Sequence, residues 1–137
     1  HCQNPVCVKV CPTTAMHKDE QGIVSVDPDK CVGCRYCEWN CPYSAPQYNK
    51  QSGRMTKCDF CKDRLASGLK PLCVEACPMR AIHFGEYEDL KKQFGDAVHV
   101  APLPEQGVTS PCLVITPPHN AQPVGSNMGS IRNPEEM

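Results

Sequence analysis

The stretch that decides the fold is CVGCRYCEWNCP, residues 31–42. Its cysteines, Cys31, Cys34, Cys37 and Cys41, follow C-x-x-C-x-x-C-x-x-x-C-P without deviation. Three thiolates at this tight spacing can wrap one corner of an iron–sulfur cubane, each reaching a different iron. The fourth, turned away at a proline, ligates a second cluster. Such a run therefore implies a partner run elsewhere in the chain.

Working outward, the opening HCQNPVCVKVCP supplies that partner, because Cys2, Cys7 and Cys11 end in the same C-x-x-x-C-P, with Pro12 standing where Pro42 stands in the other run. This is the bacterial ferredoxin arrangement. Paired reciprocally, Cys11 is the fourth ligand to the cluster of Cys31, Cys34 and Cys37. Cys41 is then the fourth ligand to a cluster held by Cys2, Cys7 and one thiolate absent from the chain. A third group, CDFCKDRLASGLKPLCVEACP, places Cys58 and Cys61 in a C-x-x-C and Cys73 and Cys77 in another C-x-x-x-C-P. By the same logic Cys58, Cys61 and Cys73 hold one cluster and Cys77 reaches for another. Neither of those two is completed from this sequence. Of the 12 cysteines, only Cys112 lies outside the motifs, in the apolar run SPCLVITPP. It reads as a buried structural thiol, since free cysteine is among the most buried residue types.

Composition agrees with a metal scaffold. The chain has 137 residues, 6% aromatics and 40% hydrophobics, so its apolar core is thin and the clusters must substitute for much of it. Iron-free protein is expected to be largely unfolded, because ligation and folding are coupled. Two rival uses of cysteine fit less well. A zinc ribbon has no use for a third cysteine at the same short spacing, nor for a proline after every fourth one. Cysteines three apart are poorly placed for repeated disulfide cross-linking. A formal charge of −1 leaves no basic excess for nucleic acid. No apolar run reaches the roughly 18 residues of a membrane span, and no signal peptide is present at the start, so the chain reads as soluble. The histidines, at 1, 17, 83, 99 and 119, form no metal-binding pair. His1, beside Cys2, is placed to tune a cluster. No phosphate loop, dinucleotide fingerprint or nucleophile elbow occurs.

The expected fold is α+β: a ferredoxin-like [4Fe-4S] cluster-binding domain of short helices and strands over residues 1–101, followed by a Pro/Gly-rich extended C-terminal arm, residues 102–137. Gly22 marks a turn before a short strand of Ile23, Val24 and Val26. MRAIHFG after Cys77 echoes the segment after Cys11, as one turn and a brief strand. DRLASG reads as a helical turn stopped by Gly68. EYEDLKKQFG reads as a surface helix with Tyr87, Leu90 and Phe94 on one face and Gly95 as its cap. A further strand is expected at Leu113 to Thr116.

The three groups, with the phrases CRYCEWNCPYSAPQYN, GRMTKCDFC, KPLCVEACPMRAI and VAPLP, closely resemble the iron–sulfur electron-transfer subunit of the dimethyl sulfoxide reductase type, within the four-cluster ferredoxin family that serves molybdopterin oxidoreductases. The resemblance runs through the tail. It implies four [4Fe-4S] clusters in the full-length subunit, and a start inside the second of four cysteine groups, His1 and Cys2 being the end of a C-x-x-C. The cysteine completing the set of Cys58, Cys61 and Cys73 would then come from the absent first group, as would the three partners of Cys77. It also implies a non-catalytic relay of single electrons, from a quinol-oxidising membrane anchor subunit to a molybdopterin-containing catalytic subunit that reduces sulfoxides or N-oxides. The complex would sit at the cytoplasmic membrane, on its periplasmic face. Lys9, Lys30, Arg35, Lys57 and Lys62 are the charges available to tune potentials. The alternatives are the same role beside another molybdopterin oxidoreductase, or a free ferredoxin.

Overall fold

The computed structural model describes residues 1–95 and 100–128. Its helices are short: α1 (Val6–Lys9), α2 (Tyr36–Asn40), α3 (Lys62–Ala66), α4 (Leu72–Ala76) and α5 (Tyr87–Phe94), with a 3-10 turn at Gln106–Val108. Two antiparallel hairpins accompany them, β1 (Met16–Lys18) with β2 (Val24–Val26) and β3 (Gln47–Asn49) with β4 (Arg54–Thr56). The expected α+β class holds, and among the described residues no helix is long and apolar enough to cross a membrane.

A repeated backbone device generates this layout. After each C-P the third residue beyond the cysteine takes a left-handed conformation: Thr14 (φ 55°), Ser44 (φ 49°) and Arg80 (φ 51°). Its N–H returns to the cysteine carbonyl, at 3.4, 3.2 and 3.2 Å respectively. The turn reverses the chain, and in the first two copies it launches β1 and β3. In the third, residues 81–84 form no strand, so the expected echo in MRAIHFG stops at the turn. A strand exists only where a second segment offers its N–H and C=O groups, and among the described residues no segment pairs with this one. The strand expected at Leu113 to Thr116 fails for the same reason.

Hairpin turns are fixed locally. Asp19 accepts the N–H of Ile23 on Oδ1 (2.8 Å) and that of Gly22 on its carbonyl (3.0 Å). Asn49 does the same for Gln51 and Ser52 through its side chain. The register sets Met16 opposite Val26 and Lys18 opposite Val24 in one hairpin, and Tyr48 opposite Met55 in the other.

The inward side chains, Met16, Val24 and Met55, meet Cys37 in a small core, with Cys7, Cys11, Cys31 and Tyr48 packed around it. Each such side chain contributes about 1.5–3 kcal/mol by burial. There are few of them, and sulfur atoms stand where a larger domain would place leucines. The third group is tied on by polar contacts. Lys62 Nζ reaches Asp19 (2.8 Å) and donates to Ser25 Oγ (3.1 Å), joining α3 to the first hairpin. Arg64 joins α3 to α4 through Glu75 (2.5 Å) and the Lys70 carbonyl (2.9 Å). Gly68 ends the α3 turn and α5 ends at Gly95, as expected.

The beginning of the arm is docked rather than free. The N–H groups of Gln3 and Asn4 donate to the carbonyls of Ser110 (2.8 Å) and Thr109 (3.1 Å), and Cys2 pairs with Pro111. Thr109 is 2% exposed. Cys112 is half-buried, with its N–H on the carbonyl of His1 (3.3 Å).

Candidate metal centre

Cys11, Cys31, Cys34 and Cys37 line one pocket, whose other walls include Ala15, Met16, Val26 and Met55. Three local pieces of structure deliver them. Cys11 precedes the turn into β1, Cys31 and Cys34 flank Gly33, and Cys37 lies in α2. Gly33 is required by two independent features: its φ is +69°, and a Cβ there would stand 2.1 Å from the carbonyl oxygen of Gly53. Arg35, also left-handed (φ 65°), turns the chain from Cys34 into α2.

Backbone N–H groups point at the sulfurs. Met16 donates to Cys11 Sγ (3.4 Å), Met55 to Cys31 Sγ (3.3 Å) and Ala45 to Cys41 Sγ (3.5 Å). Burial raises the Cys11 pKa, but the N–H of Met16, the Thr13 hydroxyl and the N–H groups of Thr13 and Ala15 outweigh it, and the thiol lies below its ordinary value. Cys77 is lowered in the same way, first by the N–H of Ala81 and further by those of Ile82, Met79 and Arg80. The left-handed turn thus folds the following amides around the sulfur it follows. Cys37 behaves oppositely: burial pushes its thiol up to about 11, and the charges of Cys11 and Cys34 add to the rise. Four thiolates cannot share this apolar cavity unless a cationic group neutralises them.

The donor set fits an iron–sulfur cubane. It is all sulfur, walled by apolar groups and supplied with N–H donors, the surroundings that stabilise ligating thiolates. It does not fit a single ion. Among the described residues no three Cys, His, Asp or Glu side chains converge as the ligands of one metal ion do.

Cys7 lies within reach of the charges of Cys2 and Cys41. Cys7 is raised by burial and then by the charges of Cys41 and Cys2, against a lowering by Lys57. In the third group Cys61 (φ 55°) opens α3 with its N–H on Asp59 Oδ1 (2.8 Å), Cys73 lies in α4 and Cys77 follows it. Arg80 Nη1 donates to the Glu75 carbonyl (2.8 Å), which holds the turn after Cys77 against α4.

Of the charges singled out from sequence, Lys30, Arg35 and Lys62 face carboxylates, Asp27, Glu38 and Asp19 respectively. Lys9 is exposed. Lys57 alone among them turns inward, donating to the carbonyls of Val24 (2.6 Å) and Cys58 (2.5 Å), with Nζ 3.4 Å from His1 Nε2. Burial lowers its pKa, against the charges of Cys58, Cys7, Asp59 and Cys2. His1 accepts the Val24 N–H on Nδ1 (3.0 Å) and stacks on Phe60, ring centroids 3.6 Å apart. Spacing and composition do not single out Phe60, whose one signal is an aromatic residue inside a C-x-x-C. His17 hydrogen-bonds Ser25, His83 packs on Phe94, His119 is exposed, and His99 lies outside the described residues.

Comparison with known proteins agrees with this donor chemistry. Residues 1–87 match the family described as a 4Fe-4S dicluster domain. The protein is 55% identical over its whole length to the B chain of anaerobic dimethyl sulfoxide reductase from Escherichia coli, of which it spans 67%. It is 49% identical, over the same extent, to the B chain of the enzyme of that name from Haemophilus influenzae. The B chain of polysulfide reductase from Wolinella succinogenes is 44% identical over 120 residues, 85% of this protein and 63% of that one. With its spacing, its sulfur-lined cavity and these relatives in agreement, this protein belongs to the 4Fe-4S dicluster family, among the B chains of the dimethyl sulfoxide reductase type.

Proposed function

We propose that the protein is the non-catalytic electron-transfer subunit of an anaerobic molybdopterin reductase acting on dimethyl sulfoxide or an N-oxide, relaying single electrons from a quinol-oxidising membrane anchor to the catalytic subunit. The observation that carries this is the all-cysteine, apolar cavity of Cys11, Cys31, Cys34 and Cys37 in a sequence 55% identical to a chain of dimethyl sulfoxide reductase. Cys2, Cys7 and Cys41 serve a second site, Cys58, Cys61 and Cys73 a third, and Cys77 a fourth. We place the complex at the periplasmic face of the cytoplasmic membrane, by analogy with the family.

A bound [4Fe-4S] cluster supplies reversible one-electron chemistry. The protein's own residues do the rest. Cys11, Cys31, Cys34 and Cys37 would hold it. The N–H groups of Met16 and Met55 point at ligand sulfurs and favour added negative charge, raising the potential. Met16, Val26 and Met55 exclude water from the inner wall, while Cys34 lies at the exposed rim, the natural side for exchange with a partner.

A second reading is supported by the likeness to the polysulfide reductase relative and to the thiosulfate reductase electron transfer subunit of Salmonella typhi, 48% identical over 94 residues: the same relay beside a different catalytic partner. The first experiment is metal analysis of protein purified without oxygen, with EPR of the reduced sample. Iron matched by acid-labile sulfide, about four of each per complete site, and a reduced cubane signal are expected. Zinc without sulfide overturns the proposal. Assay of the assembled complex with dimethyl sulfoxide and with polysulfide separates the two readings.

A further inference from the structure

We propose that the His1–Phe60 stack is the crossing by which an electron passes between the site of Cys2, Cys7 and Cys41 and the site of Cys58, Cys61 and Cys73. This rests on the relay reading above. His1 is bonded to Cys2, and Phe60 is bonded to Cys61. Their rings lie 3.6 Å apart and 21° from parallel. A path from one ligand residue to the other is therefore covalent throughout, except for one step between rings in van der Waals contact. Electron tunnelling falls exponentially with distance and is poorest across gaps; the other one-gap connection, from Cys58 through Lys57 Nζ to His1 Nε2 (3.4 Å), runs along the whole saturated lysine side chain and is the longer of the two.

The stack is also held in place from several directions. Phe60 has φ +59°, a conformation unfavourable for a bulky side chain, and Cys61 beside it has φ +55°. Strain of this sort persists where the surroundings impose it and marks functional positions. Here Phe84 presents its edge to Phe60 at 5.1 Å. The His1 ring is fixed by the Val24 N–H on Nδ1 (3.0 Å), and Lys57 ties together Val24 and Cys58, the residues on either side of the junction. A ring serving only as filler needs neither a stacked partner nor this anchoring. In the step itself one electron leaves a reduced cluster and enters an oxidised one. The rings are neither oxidised nor reduced, and no proton moves.

The test uses the full-length subunit in its assembled complex, with three forms compared: wild type, Phe60→Leu, which keeps apolar bulk without a ring, and Phe60→Tyr, which keeps the ring. Phe60 borders an open groove. Each sample is reduced with less than one equivalent of dithionite, and redistribution of the electron among clusters is followed by rapid-freeze EPR. Iron and sulfide are measured in the same samples. The expected result is full iron and sulfide in all three, a several-fold slower redistribution in Phe60→Leu, and a wild-type rate in Phe60→Tyr. An unchanged rate in Phe60→Leu overturns the crossing. Loss of iron from Phe60→Leu, or a rate as slow in Phe60→Tyr, assigns the ring a purely structural role and overturns it equally. Absence of cubane signals from the wild type would instead sink the underlying relay reading.

Discussion

Replacing Gly33 by alanine tests how tightly the loop between Cys31 and Cys34 is tied to the second hairpin. Gly33 (φ +69°) and Gly68 (φ +72°) share a backbone conformation that costs an alanine roughly 1–2 kcal/mol. They differ in surroundings. A Cβ on Gly68 meets nothing within 4 Å, whereas one on Gly33 meets the Gly53 carbonyl oxygen at 2.1 Å and the Tyr48 ring at 3.3 Å. The obstacle is backbone in a hairpin turn, with Gly53 itself at φ +67°, so relief requires the loop or the hairpin to move. Overpacking of this kind adds about 1–3 kcal/mol. Gly68→Ala is therefore expected to lose about 1–2 kcal/mol and Gly33→Ala about 2–5 kcal/mol. Because Met55 of that hairpin donates to Cys31 Sγ, the movement also weakens the hold on the cluster. The assay is anaerobic guanidinium denaturation read by iron–sulfur absorbance, with iron release at low denaturant as a second readout. Equal losses in the two variants, or faster iron release from Gly68→Ala, would refute the close-approach argument.

Two further outcomes follow from the polar ties. Arg64→Ala removes the link from α3 to both Glu75 and the Lys70 carbonyl; with Arg64 27% and Glu75 45% exposed, the expected loss is about 1 kcal/mol, seen as faster amide exchange in α4 than in α2. Asp19 is held below the usual carboxylate range, chiefly by the hydrogen bond from Lys62. A depressed carboxyl contributes stability that is complete above its unfolded pKa, 3.8, and is lost only as pH falls through the lower folded value. The denaturation midpoint of Asp19→Asn should therefore lie below that of wild type by a constant amount from mildly acidic to alkaline conditions. A gap that closes in mild acid contradicts the pairing.

The legible part of this protein is the part written in short-range spacing. C-x-x-C-x-x-C-x-x-x-C-P specifies its chemistry because a cubane's ligands must come from consecutive turns, and Cys11, some 20 residues from Cys31, falls to the same site by reciprocity and does line the same cavity. The hairpin at Gly22, the stop at Gly68 and the α5 cap at Gly95 are readable too, since each depends on residues within one turn. Expectations fail where the deciding partner is remote. Residues 81–84 and Leu113 to Thr116 have strand-like composition and no strand, because a ladder needs a neighbour that composition does not supply. Composition predicts only an extended arm, yet Thr109 and Ser110 pair with Gln3 and Asn4, some hundred residues earlier.

Taken alone, the sequence determined the cysteine spacing, the α+β class and the thin core, all of which follow from residue type and local geometry. Only the tertiary structure decided that Lys57 turns inward while Lys30, Arg35 and Lys62 face carboxylates, and that His1 meets Phe60 between two cysteine groups. The direction of a lysine side chain and ring contact across 59 positions of chain are set by which distant surfaces come together. That depends on the summed packing of both hairpins and the third group, and no local pattern encodes it.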